Sequence, residues 1–275
     1  MIMTTKKLSV AQQYKNQPVY WPKVVISILA LIFVVYLGFI TIEFKTVNQK
    51  GLEIAINIMK GIFQPSISLI TNMTKSGLAY MLLETVAIAF LGTIIGMTLA
   101  LPLAFISSRT ITPKLVNRIG LFIISVIRAF PSFMYGIMFI KVTGPGPFAG
   151  VLTMSVTSIG MLGKLMIEAI EDLDHGIIEA LDAAGCSTIQ KIRYGIIPQL
   201  SSNIISIVIY RFDVNIKQAS ILGIVGAGGI GASLIFAISG MRWKEVGAML
   251  LGLIVIVLFF EYLSTRIRNK LATGE

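Results

Sequence analysis

The chain has 275 residues, of which 55% are hydrophobic and only 13% charged, against about 25% charged in an ordinary globular domain. So little polar material cannot cover a water-facing surface, and the chain reads as an integral membrane protein built as one polytopic, all-α domain. Its net charge of +10 lies in short loops and at the ends of apolar runs, without aromatic-interleaved basic patches, which fits membrane topology and lipid-headgroup contact rather than nucleic-acid binding.

Residues 1–23 form a polar, basic tail with Pro18 and Pro22. Residues 24–42 are uncharged and make a first span, retained rather than cleaved, because the run is longer than a signal-peptide core and EFKT follows it. Residues 43–77 carry Lys45, Lys50, Lys60 and Lys75 with a periodic patch at Ile54, Ile58 and Ile62. They are expected to form an external or interfacial amphipathic segment. A second span runs from Leu78 to Ser107, with Glu84 near its start and Pro102 near its end. Its Gly92-Thr-Ile-Ile-Gly96 sequence fits close helix packing, within the chain or between copies. Arg109, Lys114 and Arg118 mark an internal loop, and residues 119–140 form a third span containing Arg128 and Pro131. After Lys141 and the turn Gly144-Pro145-Gly146-Pro147 comes a fourth span over 148–167, whose Lys164 can snorkel inward. Residues 200–217 and 246–262 make the fifth and sixth spans, with Arg266, Arg268 and Lys270 in the tail 263–275. Six spans put both termini and the 172–198 loop on one side.

That loop is the most punctuated stretch of the chain. Ile177, Leu181 and Ala184 recur at helical spacing, while Glu179 and Asp182 take another face, so a short amphipathic helix is expected over 176–184. Gly185 stops it, since glycine reaches the left-handed conformation without a Cβ clash. Ser187 and Gln190 have the spacing of a capping box that starts a second helix, and Pro198 ends that helix or opens the next. Six of the chain's thirteen acids fall between Glu168 and Asp182; such an acidic surface would favour a basic groove on a partner. Cys186, the single cysteine, excludes an internal disulfide and reads as a small loop filler. His175 cannot form a metal site alone, and no metal is expected.

The sequence EALDAAGCSTIQKIRYGIIP from Glu179 to Pro198 resembles the cytoplasmic EAA loop of ABC-importer permeases. That pattern is Glu-Ala-Ala, three residues, Gly, nine residues, Ile, one residue, Leu-Pro. Glu179, Ala180, Gly185 and Pro198 match it, whereas Leu181 replaces the second Ala, Gly195 the Ile and Ile197 the Leu. The flanks GPFAGVLTMSVTSIGMLGKL and YRFDVNIKQASILGIVGAGGIG resemble the phosphonate-importer permease branch, and the resemblance covers roughly 78–262. It implies a type I-like importer permease in the plasma (inner) membrane of a prokaryote, with cytosolic termini. It further implies that the loop 172–198, through Glu179, Ala180, Leu181, Gly185 and Pro198, docks into a groove of a cytosolic ATPase present in two copies. An extracytoplasmic phosphonate-binding protein would deliver cargo to a permease homodimer.

Charged residues at membrane depth are rare, because burying one costs at least about 2.5 kcal/mol. Arg128, Arg211, Asp213 and Lys217 are therefore candidates for the translocation path, the arginines suited to two-point contact with phosphonate oxygens. The competing structural reading pairs Arg128 with Glu84, or Arg211 with Asp213. Gly226, Gly228, Gly229 and Gly231 spell GxGxxG, but the βαβ context and distant acid of a dinucleotide site are missing. They read instead as a broken helix or hairpin, which the resemblance places at an outer gate. The chain carries no Walker motif, paired catalytic carboxylates or nucleophile beside a histidine. It is expected to be no enzyme and to need no cofactor, with ATP hydrolysed by the partner. Phosphonate, or a relative such as phosphite or phosphate, is the expected cargo. The alternatives are an ABC permease for methionine-like amino acids, or an ATPase-independent secondary transporter, which calls for inverted repeats and acids inside the spans.

Overall fold

The computed structural model describes residues 21–41 and 49–273. Most of the expected N-terminal tail, residues 42–48 and the last two residues lie outside the described residues. By its contacts the chain divides into a unit ending at Leu52 and one beginning at Glu53. The first contains helix α1 (Trp21–Thr41), none of whose residues is buried. Its 21 residues give about 30 Å of helix, the thickness of a bilayer core.

In chain order the remaining helices are α2 (Gln49–Phe63), which crosses the boundary between the units, α3 (Ile67–Thr71), α4 (Leu78–Ser107), α5 (Lys114–Ala129), α6 (Ser132–Thr143) and α7 (Pro147–Glu171). Then come α8 (His175–Ala183) and α9 (Thr188–Gln190), a π-helical segment Lys191–Ile196, α10 (Ile197–Ile224), α11 (Ile230–Ser239) and α12 (Trp243–Thr273). Among the described residues, five helices are long and apolar enough to cross a membrane, or six spans result if the bent pair α5–α6 forms one.

Helix α7 is the centre of the second unit: 56% of its apolar stretch is buried, against 33% or less for the others. Its Gly150, Thr153, Ser155, Ser158, Gly160 and Gly163 are short enough to let neighbouring helices close in. Against it lies α4, with Gly92 facing Met154 and Gly96 facing Ser155 and Ser158. The GxxxG sequence is thus used within the chain. A Cβ on Gly96 would meet the Ser155 carbonyl oxygen at 3.0 Å and run into the Ser158 side chain, so relief requires a helix shift. Gly96→Leu should cost about 1–3 kcal/mol or more, read as a lowered unfolding midpoint in detergent; an unchanged midpoint would refute this packing.

Contacts sort the helix ends into two groups. At one, Arg109 N–H donates to Glu171 Oε1 at 2.9 Å, Asn117 Nδ2 donates to the Ser107 carbonyl, and Ser202 Oγ donates to the Leu271 carbonyl at 2.6 Å. This elbow end holds α8, α9 and the last turn of α12. The opposite end holds the glycine loop, α3, the start of α7 and the start of α12.

Three expectations take a more specific form. The third span is not straight: α5 and α6 meet at 83°, because Phe130, preceding Pro131, is held extended at φ −98°, ψ 133°. Of the two readings of Pro198 the structure takes the second: it opens the next helix, within one helical path that runs through Thr188–Ile224. Pro198 falls in the first turn of α10, and the wider π turn before it, where Ile197 N–H reaches the Ile192 carbonyl, absorbs the donor that proline lacks. The sixth span is longer than 246–262, running from Trp243 to Thr273 and carrying Arg266, Arg268 and Lys270 on the helix itself.

Candidate functional site

The elbow forms largely as its sequence dictates. Asp174 caps α8 by accepting from Gly176 N–H at 2.9 Å, a cap the sequence reading had not assigned. At the other end Gly185 adopts φ +74°. Its N–H bonds the Asp182 carbonyl, and Cys186 N–H bonds Leu181 O at 3.0 Å, the paired bonds of a Schellman termination. The Ser187–Gln190 capping box is present, with Ser187 N–H donating to Gln190 Oε1 at 2.7 Å. Leu173, Ile192 and Ile196 root the elbow in a core cluster with Ile170 and Leu200. The outer surface is small and apolar: Glu179, Ala180, Ala183, Ala184 and Gly185 are exposed, and Ile189 projects with 77% exposure.

The acids of this region are mostly engaged locally. Glu168 pairs with Lys164 at 2.9 Å, Glu171 accepts Arg109 N–H, Asp174 caps α8 and Asp182 pairs with Lys191. Lys164 and Lys191 thus offset two of the six carboxylates, while Asp172 and Glu179 stay exposed. Beside them the elbow presents an apolar knuckle bordered by Glu179.

Deep among the spans, the sequence-selected charges resolve into two separate groups. Arg211 is 3% exposed and points at α7: Nε donates to Ser158 Oγ, Nη2 to Thr157 Oγ1, and Nη1 lies against Met161 Sδ, each at 2.9 Å. Asn215, one turn on, donates to Thr93 Oγ1 at 2.8 Å and to Ser158 Oγ at 2.9 Å, leaving its own Oδ1 buried without a partner. Asp213 does not pair with Arg211, because residues two apart on a helix point away from each other. It pairs instead with Lys217, which also reaches Glu261 on α12, both at 3.2 Å.

Arg128 does not pair with Glu84. It is exposed at the last turn of α5, just before the bend, with its stem over α7: a Cβ on Gly160 would sit 2.8 Å from Arg128 Cγ. Thr157, Gly160 and Met161 are spaced i, i+3, i+4 and share one face of α7. Arg128 and Arg211 therefore meet the same short stretch of α7 from two different helices. The sequence reading had missed Thr93, Thr157, Ser158 and Asn215, whose only advance signal was that they are polar within apolar helices.

Glu84 serves the glycine loop. Its Oε1 accepts Gly229 N–H at 3.3 Å, and Thr85 Oγ1 accepts Ile230 N–H at 2.9 Å. Gly226, Gly228 and Gly229 hold φ values of +96°, +81° and +70°, which break the chain between α10 and the short α11. Gly228 and Gly229 also lie where a Cβ would meet Pro147 and Thr85, and Gly231 crosses Gly223 closely. The segment is a broken helix wedged against α4 and the start of α7, and no β-strand occurs among the described residues.

Residues 100–272 match the family model "Binding-protein-dependent transport system inner membrane component". HtxC of Stutzerimonas stutzeri, named for a phosphite transport system, is 32% identical over 246 residues, covering 89% of this chain and 84% of that one. PtxC of the same organism, a phosphite transport system permease protein, is 34% identical over 189 residues, 68% of this chain and 69% of that one. Among solved structures, the inward-facing MetNI methionine ABC transporter superposes with a TM-score of 0.62 at 21% identity, covering 70% of this chain and 95% of that one. At that identity the likeness is one of fold.

Proposed function

Because the chain belongs to the family of binding-protein-dependent transport system inner-membrane components, we propose that it forms the membrane path of an ATP-driven importer for a phosphorus oxyanion: phosphonate, phosphite or phosphate. The observation that carries the cargo class is Arg211. It is a buried guanidinium whose hydrogen-bond partners are all neutral, the nearby carboxylates being engaged with Lys217. An arginine at membrane depth is costly, and a passing anion is the counter-charge it lacks. Arg128, exposed and resting on the same face of α7, gives that anion a second guanidinium. The relatives named for phosphite systems, at 32% and 34% identity, support this class over methionine, for which the sequence likeness falls to 22% over 159 residues.

In this reading two copies of the chain enclose the path, and a binding protein delivers cargo at the glycine-loop end, where Gly226, Gly228, Gly229 and Gly231 form the gate. Glu179, Ala180, Leu181, Gly185 and Pro198 belong to the cytosolic elbow 172–198, which docks on a separate ATPase, one per copy, so both termini face the cytosol of a prokaryotic plasma membrane. The decisive assay is ATP-dependent uptake by the full assembly in vesicles, with labelled phosphite, phosphonate, phosphate and methionine in parallel. Saturable methionine uptake without uptake of any oxyanion would overturn the cargo assignment. Docking has its own test. Ile189→Asp puts a charge at the tip of the knuckle without touching the core, and co-purification of the ATPase should fall about tenfold or more at unchanged permease abundance. Retention of the ATPase at the wild-type level would reject the knuckle as its seat.

A further inference from the structure

A cleft of about 550 Å³ lies at the glycine-loop end, between the end of α2 and the turn joining α11 to α12. We infer that it is a binding site for a phosphate-bearing anion. Lys60, Gln64, Arg242, Trp243, Lys244 and Glu245 are among the residues lining it. Its one carboxylate, Glu245, is taken by Arg242 at 3.0 Å. Lys60 and Lys244 are exposed and make no ion pair or side-chain hydrogen bond with any described residue.

Backbone contacts bring these two cations to one cleft. Gly61 crosses Gly247 and the Trp243 carbonyl so closely that a Cβ on either glycine would collide with the other segment. Ser66 N–H donates to the Lys244 carbonyl at 3.0 Å. The fold therefore brings two lysines without an acidic partner to the lining of one cleft, a local excess of positive charge that favours an anion. Gln64 adds an amide that can donate to phosphate oxygens, and the volume is that of a small-molecule site. The turn also holds Met241 at φ +54°, the one non-glycine residue with positive φ among those described. That conformation closes α11, with Met241 N–H bonded to the Ile238 carbonyl and Arg242 N–H to the Ala237 carbonyl.

Two sources carry the same chemistry: a phospholipid headgroup and a free phosphorus oxyanion. The exposed Phe63 and Ile67, 78% and 73% accessible, flank the cleft residues Gln64 and Ser66 in sequence and offer apolar contact to acyl chains. The site stands independently of the transport reading, since none of its residues belongs to the Arg211 group or the elbow.

The test uses the full chain in detergent, comparing wild type, the double variant K60Q/K244Q, and K141Q. Lys141 lies in the last turn of the apolar helix α6 and outside the cleft. Native mass spectrometry with added phosphatidylglycerol reads the lipid arm, and titration calorimetry with inorganic phosphate reads the free-anion arm. Loss of lipid adducts by about tenfold in K60Q/K244Q but not in K141Q establishes the site as a headgroup site. Phosphate binding lost in the same variant alone establishes it as a free-anion site. Equal binding of both probes across all three proteins overturns the inference, and unchanged helical circular dichroism confirms that each variant is folded.

Discussion

Arg211→Met should reduce oxyanion uptake by about thirtyfold or more, the effect of removing about 2–5 kcal/mol of charge-to-charge interaction in a desolvated site, while leaving the permease folded and abundant. The separation of these two outcomes follows from the neighbours. When the guanidinium is gone, Ser158 Oγ keeps its bond from Asn215 Nδ2, and Thr157 Oγ1 still donates to the Thr153 carbonyl at 2.9 Å. Neither hydroxyl is left unsatisfied, so the usual penalty for an orphaned buried polar group does not arise. Methionine is close in length to the arginine stem and comes to rest against Met161, and the cost of burying a charge disappears.

Arg211→Lys provides the second arm. It keeps the charge but has one nitrogen where the arginine spreads Nε, Nη1 and Nη2 over Ser158, Met161 and Thr157. Its ammonium cannot hold that fan and receive a planar two-point anion at once. Uptake by the lysine variant should therefore lie between wild type and Arg211→Met. Initial uptake rates normalised to permease abundance decide the matter. Wild-type uptake by the methionine variant would remove Arg211 from the path and leave it as a structural tether between α10 and α7.

How far these features were legible beforehand depends on the range of the interactions that create them. The elbow was readable almost residue by residue, because Gly185, Ser187 and Gln190 act through bonds spanning three to five positions. The boundaries of α4 were readable for the same reason: an apolar run and its end lie within one segment. The glycine loop was recognised as a break, but its support by Glu84 and Thr85 was not, since those bonds join residues 145 positions apart. Likewise Arg211 was singled out as a charge at depth, and its two-residue spacing argued against Asp213, yet nothing local told whether it would meet cargo or the hydroxyls of α7. Local rules also told more about one proline than about the other. Pro131 was placed inside the third span without the 83° bend that goes with extended Phe130, whereas Pro198 opens α10, one of the two readings its position allowed, after a π turn.

The second large effect concerns the two places where the elbow departs from the family pattern, and the structure brings them together. Leu181 stands where that pattern has alanine and Gly195 where it has isoleucine. A Cβ placed on Gly195 would meet Leu181 Cδ1 at 2.5 Å. The large residue has moved from the π segment to α8, so the same gap is filled from the other side. Gly195→Ile alone forces two branched side chains into one space, at about 1–3 kcal/mol, and should pry α8 off the segment that leads into α10. Leu181→Ala alone leaves the gap empty at a cost of similar size, reduced because Leu181 is only half-buried. Each single variant should lower ATP-dependent uptake about tenfold, through a loosened elbow that no longer passes motion into α10. The double variant Leu181→Ala/Gly195→Ile restores the pattern's own arrangement and should recover most of that loss, with a coupling of about 0.5–3 kcal/mol between the two sites. Uptake and ATPase co-purification, measured across all four proteins, close the cycle. If the double variant is as impaired as the two losses combined, the two substitutions are independent and the elbow is not held shut by this contact.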